Sequence, residues 1–371
     1  TGVQTCALPI WLAATCWGPS GLAQLFFTNF LRKKAIQSPR TLNFLWRVEG
    51  GIVSSLAALG RLLPPDTSSA FGRRLLRWLG PHLDKTRKLR TNLMIAFPEK
   101  NAAEIESLVA DAWANVGAVL GEFPHLARLQ KEASIRFEYV TKGDPEVFKA
   151  PGKVAVFVAA HLANWEIAPA AIIARGVALT GIYTPLVNPW LDGLVCRARD
   201  SIGLATVPRE GAARQLMRQI RQGRSIGLLV DQRVDSGERV PFFGHDMLTA
   251  TTPAQFALRF DCELIPVQVQ RLDGARFRVI FHEPVVPDDA RASEHEKIMQ
   301  MTRKVSALFE AWIRDRPHEW MCSKRRWDKD ALKLQQPRAE DEAPQSTTDT
   351  PEARVQSRRR QAPGHRSPGK I

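Results

Sequence analysis

Five short runs constrain the fold more than any other feature of this chain. They are "VAVFVAA" (154–160), "ALTGIYTPL" (178–186), "SIGLLVD" (225–231), "ELIPVQVQ" (263–270) and "FRVIFH" (277–282). Most are apolar without interruption, the pattern of strands buried on both faces rather than half exposed. Helical stretches at 165–175, 190–202, 210–222 and 252–260 separate them. Strand and helix in alternation predict an α/β layer, with a largely parallel or mixed central sheet flanked by helices. Ile105, Leu108, Val109, Ala112, Trp113, Val116 and Leu120 recur at helical spacing and predict a further helix within 102–130. Another is predicted at 292–315, and no internal repeat is visible.

Ahead of this layer lies a segment of different character. "LNFLWRVEGGIVSSLAALGRLL" (42–63) has the length of a bilayer span, but Arg47, Glu49 and two glycines make it a poor one. It reads as an amphipathic or monotopic anchor, or as an ordinary amphipathic helix packed on the domain. Charge favours the anchor. Of a formal net charge of +14, ten units fall within 31–90, where thirteen Lys and Arg face only Glu49, Asp66 and Asp84. Basic residues flanking an apolar helix suit an anionic membrane surface. A nucleic-acid reading has no helix-turn-helix, zinc finger or aromatic-basic interleaving to support it, so nucleic acid is not an expected partner. The expected divisions are 1–41, a truncated or foreign N-terminus; 42–130, a membrane-associating helical region; 131–330, the catalytic core; and 331–371, a disordered tail. Five cysteines without a C-x-x-C pair suggest neither a disulfide framework nor a zinc site, and no secretory signal is convincing.

The run at 154–160 leads directly into "HLANWE" (161–166), delivering a histidine and then a carboxylate to the carboxyl end of a buried strand, where open α/β sheets place their ligands. Asn164 fits an N-cap, with Glu166 in the first helical turn beside the positive end of the dipole. A carboxylate near an imidazole holds one tautomer and stabilises the imidazolium formed on proton uptake, which is the base-and-orienter part of a catalytic triad. The same spacing fits a satisfied core histidine beside an unrelated helix-terminal glutamate. No nucleophile accompanies it. "GRSIG" (223–227) matches G-x-S-x-G, but a helix precedes Ser225 and a strand follows, the reverse of a nucleophile elbow. H-x4-E also lacks the H-E-x-x-H spacing of a metal site, so neither metal nor cofactor is expected. What remains is a base that activates a hydroxyl of the substrate itself.

"HLANWE", "LLVDQ" (228–232), "FFG" (242–244), "TATTPAQFALRF" (249–260), "NLMIAFPEK" (92–100) and "HEWMCSKRRW" (318–327) together resemble the bacterial lipid A biosynthesis acyltransferases, part of the glycerolipid acyltransferase superfamily marked by H-x4-D/E. The resemblance runs from about residue 42 to 330. It implies an enzyme on the cytoplasmic face of the inner membrane that moves a fatty acyl chain from acyl carrier protein to a hydroxyl of a lipid A precursor. By this likeness His161 deprotonates the acceptor hydroxyl, which attacks the thioester directly, and Glu166 orients the imidazole. Asn164 holds the turn or bonds near the reacting centre, and Asp231 supports the site from the end of its strand. Arg325 and Arg326 either meet lipid phosphates or acyl carrier protein or form a solvated surface.

Two departures stand out. The family's arginine in an aromatic-Arg-Pro stretch is replaced by Thr184 in "YTPLVNP", with Arg197 and Arg199 as possible substitutes. Lys324 stands where histidine is common. These departures keep open another lipid or glycolipid acceptor, and a catalytically impaired membrane scaffold.

Overall fold

The computed structural model describes residues 38–150 and 152–328. The expectations for residues 1–37 and 329–371 therefore lie outside the described residues.

All five predicted runs form strands of one seven-stranded sheet: β2 (Ala155–Ala159), β3 (Leu179–Tyr183), β5 (Ser225–Leu229), β8 (Glu263–Arg271) and β9 (Phe277–Phe281). Two edge strands complete it, β1 (Phe137–Thr141) and β4 (Ala205–Pro208). The order is β1-β9-β8-β2-β5-β3-β4. Strands β8, β2, β5, β3 and β4 are mutually parallel, while β9 runs antiparallel to β8 and carries β1 parallel to itself. The continuous apolarity of β2 is explained by its central position, where all five of its residues are buried. Helices α7 (Ile167–Ala174), α8 (Pro189–Asp200), α9 (Ala212–Arg221), α10 (Thr252–Arg259) and α11 (Glu294–Asp315) lie close to the predicted spans. A hairpin of β6 (Glu238–Phe242) and β7 (His245–Thr249) stands apart from the sheet. Neither the hairpin nor the edge strands were anticipated. Each is short, and β4 ends in Pro208, as suits an edge position.

The N-terminal region is helical: α1 (Pro39–Leu62), α2 (Pro65–Leu79), α3 (Thr86–Ala96), α4 (Ala102–Glu122), α5 (Leu126–Lys131) and α6 (Ala133–Arg136). The start of α4 is fixed by a capping box, in which Asn101 accepts from the Glu104 amide and Glu104 accepts from the Asn101 amide. Helix α2 crosses α4 in backbone contact, since a Cβ on Gly72 or Gly117 would strike the other's carbonyl. Helix α1 is tethered to α8 by Asn188, whose Nδ2 donates to the Trp46 carbonyl at 3.1 Å and to Glu49 at 3.0 Å. Among the described residues no helix is long and apolar enough to cross a membrane. On α1 and α2, Phe44, Leu59, Leu62, Phe71 and Trp78 are nevertheless 60–80% exposed.

Ser225 opens β5 after a helix, as its reversed G-x-S-x-G context required, and its buried Oγ accepts from the Ala155 amide at 3.0 Å. Its hydroxyl joins two strands of the sheet. We expect Ser225→Ala to cost about 1 kcal/mol of stability, the net worth of an ordinary hydrogen bond. Turnover per folded molecule should be unchanged, checked by denaturant unfolding alongside a transfer assay.

Candidate active site

Strand register assembles the centre of the site. β2 and β5 are parallel neighbours with Ala159 opposite Leu229. His161 and Asp231 each lie two residues further on, so both side chains emerge at the same sheet edge. His161 Nδ1 donates to Asp231 Oδ1 at 2.6 Å, with the two residues 3% and 2% exposed. The indole Nε1 of Trp320 donates to the second oxygen, Asp231 Oδ2, at 3.1 Å. Burial alone would raise the Asp231 carboxyl, but the charge of His161 and hydrogen bonds from His161 and Trp320 hold it below the usual carboxylate range. An ionised Asp231 accepts the Nδ1–H hydrogen bond, so in the neutral imidazole the proton stays on Nδ1 and the lone pair is on Nε2. Gln232 Nε2 lies 3.3 Å from that atom. A lone pair calls for a donor, so the amide NH2 is the end of Gln232 that faces it.

The chain reverses immediately after His161 through Ala163, whose φ of 46° is in the left-handed region. Such a conformation is costly for a residue with a Cβ and is held by its surroundings. Asn115 Nδ2 donates to the Ala163 carbonyl at 2.8 Å, and the Ala163 amide donates to the Glu319 carbonyl at 3.1 Å. Asn164 is fully buried. Its Oδ1 accepts from the Glu166 amide at 3.1 Å, and its Nδ2 donates to Glu122 at 2.8 Å. The first of these bonds lies within the turn, and the helix starts two residues later than the predicted cap implied. Glu122 is in turn paired with the guanidinium of Arg271 and accepts from Ser69. A network of buried charged and polar groups therefore lies beneath the turn.

Glu166 does not have the role expected for it. Its carboxylate is gripped at both oxygens by Arg199, at 2.6 and 3.1 Å, and the pair is buried. The carboxylate on His161 Nδ1 is Asp231, because the turn carries Glu166 into the start of α7, facing α8, while register brings Asp231 alongside. Glu166 and Arg199 are among the residues that line a small apolar cavity of about 60 Å³, with Phe157, Ile172, Leu179 and Leu228. Arg199 is the one of the two proposed substitutes for the missing arginine that reaches the interior; Arg197 is exposed. Arg326 requires a further correction. It is 1% exposed, lies over the Phe242 ring at 4.5 Å, and donates to the Leu248 carbonyl at 3.4 Å and to Thr249 at 3.3 Å. Burial lowers its guanidinium to about 10. It anchors the end of the fold to the β6–β7 hairpin and cannot meet a lipid phosphate, whereas Arg325 is exposed. Sequence reading missed Gln232 and Trp320 as site residues. Both lie within motifs quoted above, "LLVDQ" and "HEWMCSKRRW", but Trp320 is 89 residues from Asp231, and no local spacing reports such a contact.

Comparison with known proteins identifies the family of the chain. The family profile described as "Bacterial lipid A biosynthesis acyltransferase" matches residues 41–329. A lipid A biosynthesis acyltransferase of Haemophilus influenzae is 27% identical over 173 residues, 45% of this chain and 54% of that protein. The match thus spans about half of that relative's length. A lipid A biosynthesis myristoyltransferase of Escherichia coli is 25% identical over 277 residues, 72% of this chain and 83% of that protein. The crystal structure of the 1-acyl-sn-glycerophosphate acyltransferase from Thermotoga maritima aligns with 67% of this chain and 98% of its own, at 13% identity and a TM-score of 0.33, a likeness too loose to bear on the fold.

The two carboxylates should respond differently to substitution. Asp231→Asn removes the charge that fixes the tautomer, and we expect turnover to fall on the order of 10³- to 10⁴-fold with little change in the unfolding midpoint. Glu166→Ala leaves Arg199 without its buried counter-ion and should lower stability by about 3–5 kcal/mol. Turnover per folded molecule and calorimetry, measured on both variants, check the assignment.

Proposed function

Because the chain belongs to the bacterial lipid A biosynthesis acyltransferase family, we propose that it transfers a fatty acyl chain from the thioester of acyl carrier protein to a hydroxyl of a lipid A precursor. The observation that carries this reading is the buried His161–Asp231 pair at the carboxyl edge of the sheet, with the lone pair of Nε2 directed away from the carboxylate. In this mechanism Nε2 takes the acceptor's hydroxyl proton as the oxygen attacks the thioester carbon. A C–O bond forms, and the carbonyl electron pair moves onto oxygen. The tetrahedral intermediate then collapses, the C–S bond breaks, and the imidazolium returns its proton to the departing thiolate. Asp231 stabilises the imidazolium between the two steps. General-base help of this kind is worth on the order of 10²- to 10⁴-fold. No acylated serine or cysteine is formed. Ser225 lies within the sheet, and burial pushes the Cys322 thiol up, away from the reactive thiolate.

The same reading puts the protein on the cytoplasmic face of the inner membrane. Two features of the N-terminal helices support it. Apolar side chains on α1 and α2 are turned outward, and the basic residues Arg61, Arg74 and Arg77 of those helices and Arg87 of α3 are exposed as well. Apolar burial contributes about 25 cal/mol per Å² whatever the salt, while each nearby Lys or Arg adds on the order of 1 kcal/mol on an anionic surface.

His161→Ala should abolish transfer and leave the fold intact; activity within a few-fold of the parent would sink the base assignment. The mass of lipid A from cells with and without the gene identifies the acceptor and the chain added. A triple change of Phe71, Leu75 and Trp78 to Ser should weaken binding to neutral and anionic liposomes alike, and high salt should not reproduce that loss on neutral ones. Changing Arg74, Arg77 and Arg87 to Gln should weaken binding to anionic vesicles alone, an effect that 1 M salt reproduces as the Debye length falls to about 3 Å. Tighter binding of the parent to duplex DNA than to anionic vesicles would overturn the membrane reading.

A further inference from the structure

Gln232 is the residue after Asp231 and is 7% exposed. Its amide nitrogen lies 3.3 Å from His161 Nε2, the atom that must receive the acceptor's proton. Its carbonyl oxygen Oε1 is buried without a hydrogen-bond partner. A buried amide oxygen left unsatisfied costs on the order of 1–3 kcal/mol, so its position requires a reason beyond packing.

The chemistry of the reaction supplies one. When the acceptor hydroxyl settles on Nε2, the attacked carbonyl carbon lies one bond beyond the hydroxyl oxygen, and the thioester oxygen beyond that carbon gains negative charge. The amide NH2 of Gln232, displaced from Nε2 by the hydroxyl, is within a short swing of that oxygen. Around this locus three other strong donors are already committed, while the indole Nε1 of Trp165, whose ring lies 5.6 Å from that of His161, is buried without a hydrogen-bond partner. Arg199 grips Glu166, Trp320 Nε1 donates to Asp231, and Arg326 lies over Phe242. At position 184 the side chain is a threonine and carries no charge.

We infer that Gln232 is a catalytic residue of this site, donating its amide N–H to the thioester oxygen as the tetrahedral oxyanion forms, while its free Oε1 accepts from an N–H or O–H of the bound substrate. Before substrate arrives the same amide covers the lone pair of Nε2. One side chain thus holds the base ready and then passes to the oxyanion. No atom is transferred to or from Gln232, and the proton balance remains that of the His161 mechanism. The inference rests on the acyl-transfer reading.

The test uses the full chain, with Gln232→Met, of matched length and without a donor, and Gln232→Glu, which keeps polarity but sets a carboxylate against the oxyanion. Loss of one oxyanion donor is worth about 10²- to 10³-fold in turnover. We expect Gln232→Met to lose that much kcat with KM within about threefold of the parent, and Gln232→Glu to fall at least as far. The imidazole ¹⁵N resonances of His161 report the contact independently of turnover. In Gln232→Met the Nε2 resonance should move downfield as its donor is lost, while Nδ1, held by Asp231, stays in place. A folded Gln232→Met protein that keeps kcat within threefold of the parent overturns the inference and leaves the acyl-transfer reading standing. So does a Gln232→Met protein whose Nε2 resonance is unmoved. A parent that transfers no acyl group from any thioester donor overturns the reading, and the inference with it.

Discussion

The hydrogen bond between His161 and Asp231 is the interaction on which the proposed chemistry of this molecule depends, and it follows from sheet geometry. Ala159 and Leu229 are the last register partners of a parallel pair, and two residues beyond each the chain places one imidazole and one carboxylate side by side. Burying a carboxylate in a dry interior is expensive unless it is paired. Here the imidazole and the Trp320 indole satisfy its two oxygens from different directions. The pair is therefore set by the centre of the sheet, where β2 and β5 lie side by side.

Two further buried ion pairs flank this centre. Glu122–Arg271 lies beneath the turn and Glu166–Arg199 beside it, each with both partners largely removed from water. Such pairs contribute little net stability, but removing either partner strands a charge. Their effect is one of position. Glu122 also holds Asn164, and Asn115 with Glu319 holds Ala163, so the reversal that carries the chain away from His161 is fixed from several sides. The carboxylate of H-x4-E in this chain thus acts through the arginine it grips, and the imidazole takes its partner from the neighbouring strand.

The central strands were legible in the sequence because burial on both faces leaves an unbroken apolar signature, and His161 was legible because it interrupts one. Asp231 was also legible, as a carboxylate at the end of a strand on the same edge. The exchange of roles between Glu166 and Asp231 was not. Four intervening residues suggested proximity, whereas the decisive contact spans 70 positions and depends on which strand lies beside β2. Arg326 was misread for a related reason. Paired arginines near the end of a chain look like a solvated surface, and only the tertiary structure shows Phe242 beneath one of them. The hairpin and edge strands were too short to stand out from the helices around them.

The contacts of the 318–322 segment bear on how the site comes into being. Trp320 bridges to Leu162, Met321 donates to the His161 carbonyl at 3.0 Å, and Glu319 receives the Ala163 amide. Every one of these joins the middle of the chain to nearly the last of its described residues, and contacts of such separation form late because their loop-closure cost must be met first. A chain emerging from the ribosome would carry His161 for some 160 residues before Trp320 followed it. During that interval the sheet can gather while the imidazole still lacks its finished surroundings. A fragment ending before Trp320 would hold His161 and Asp231 without the indole that satisfies the second oxygen of the carboxylate.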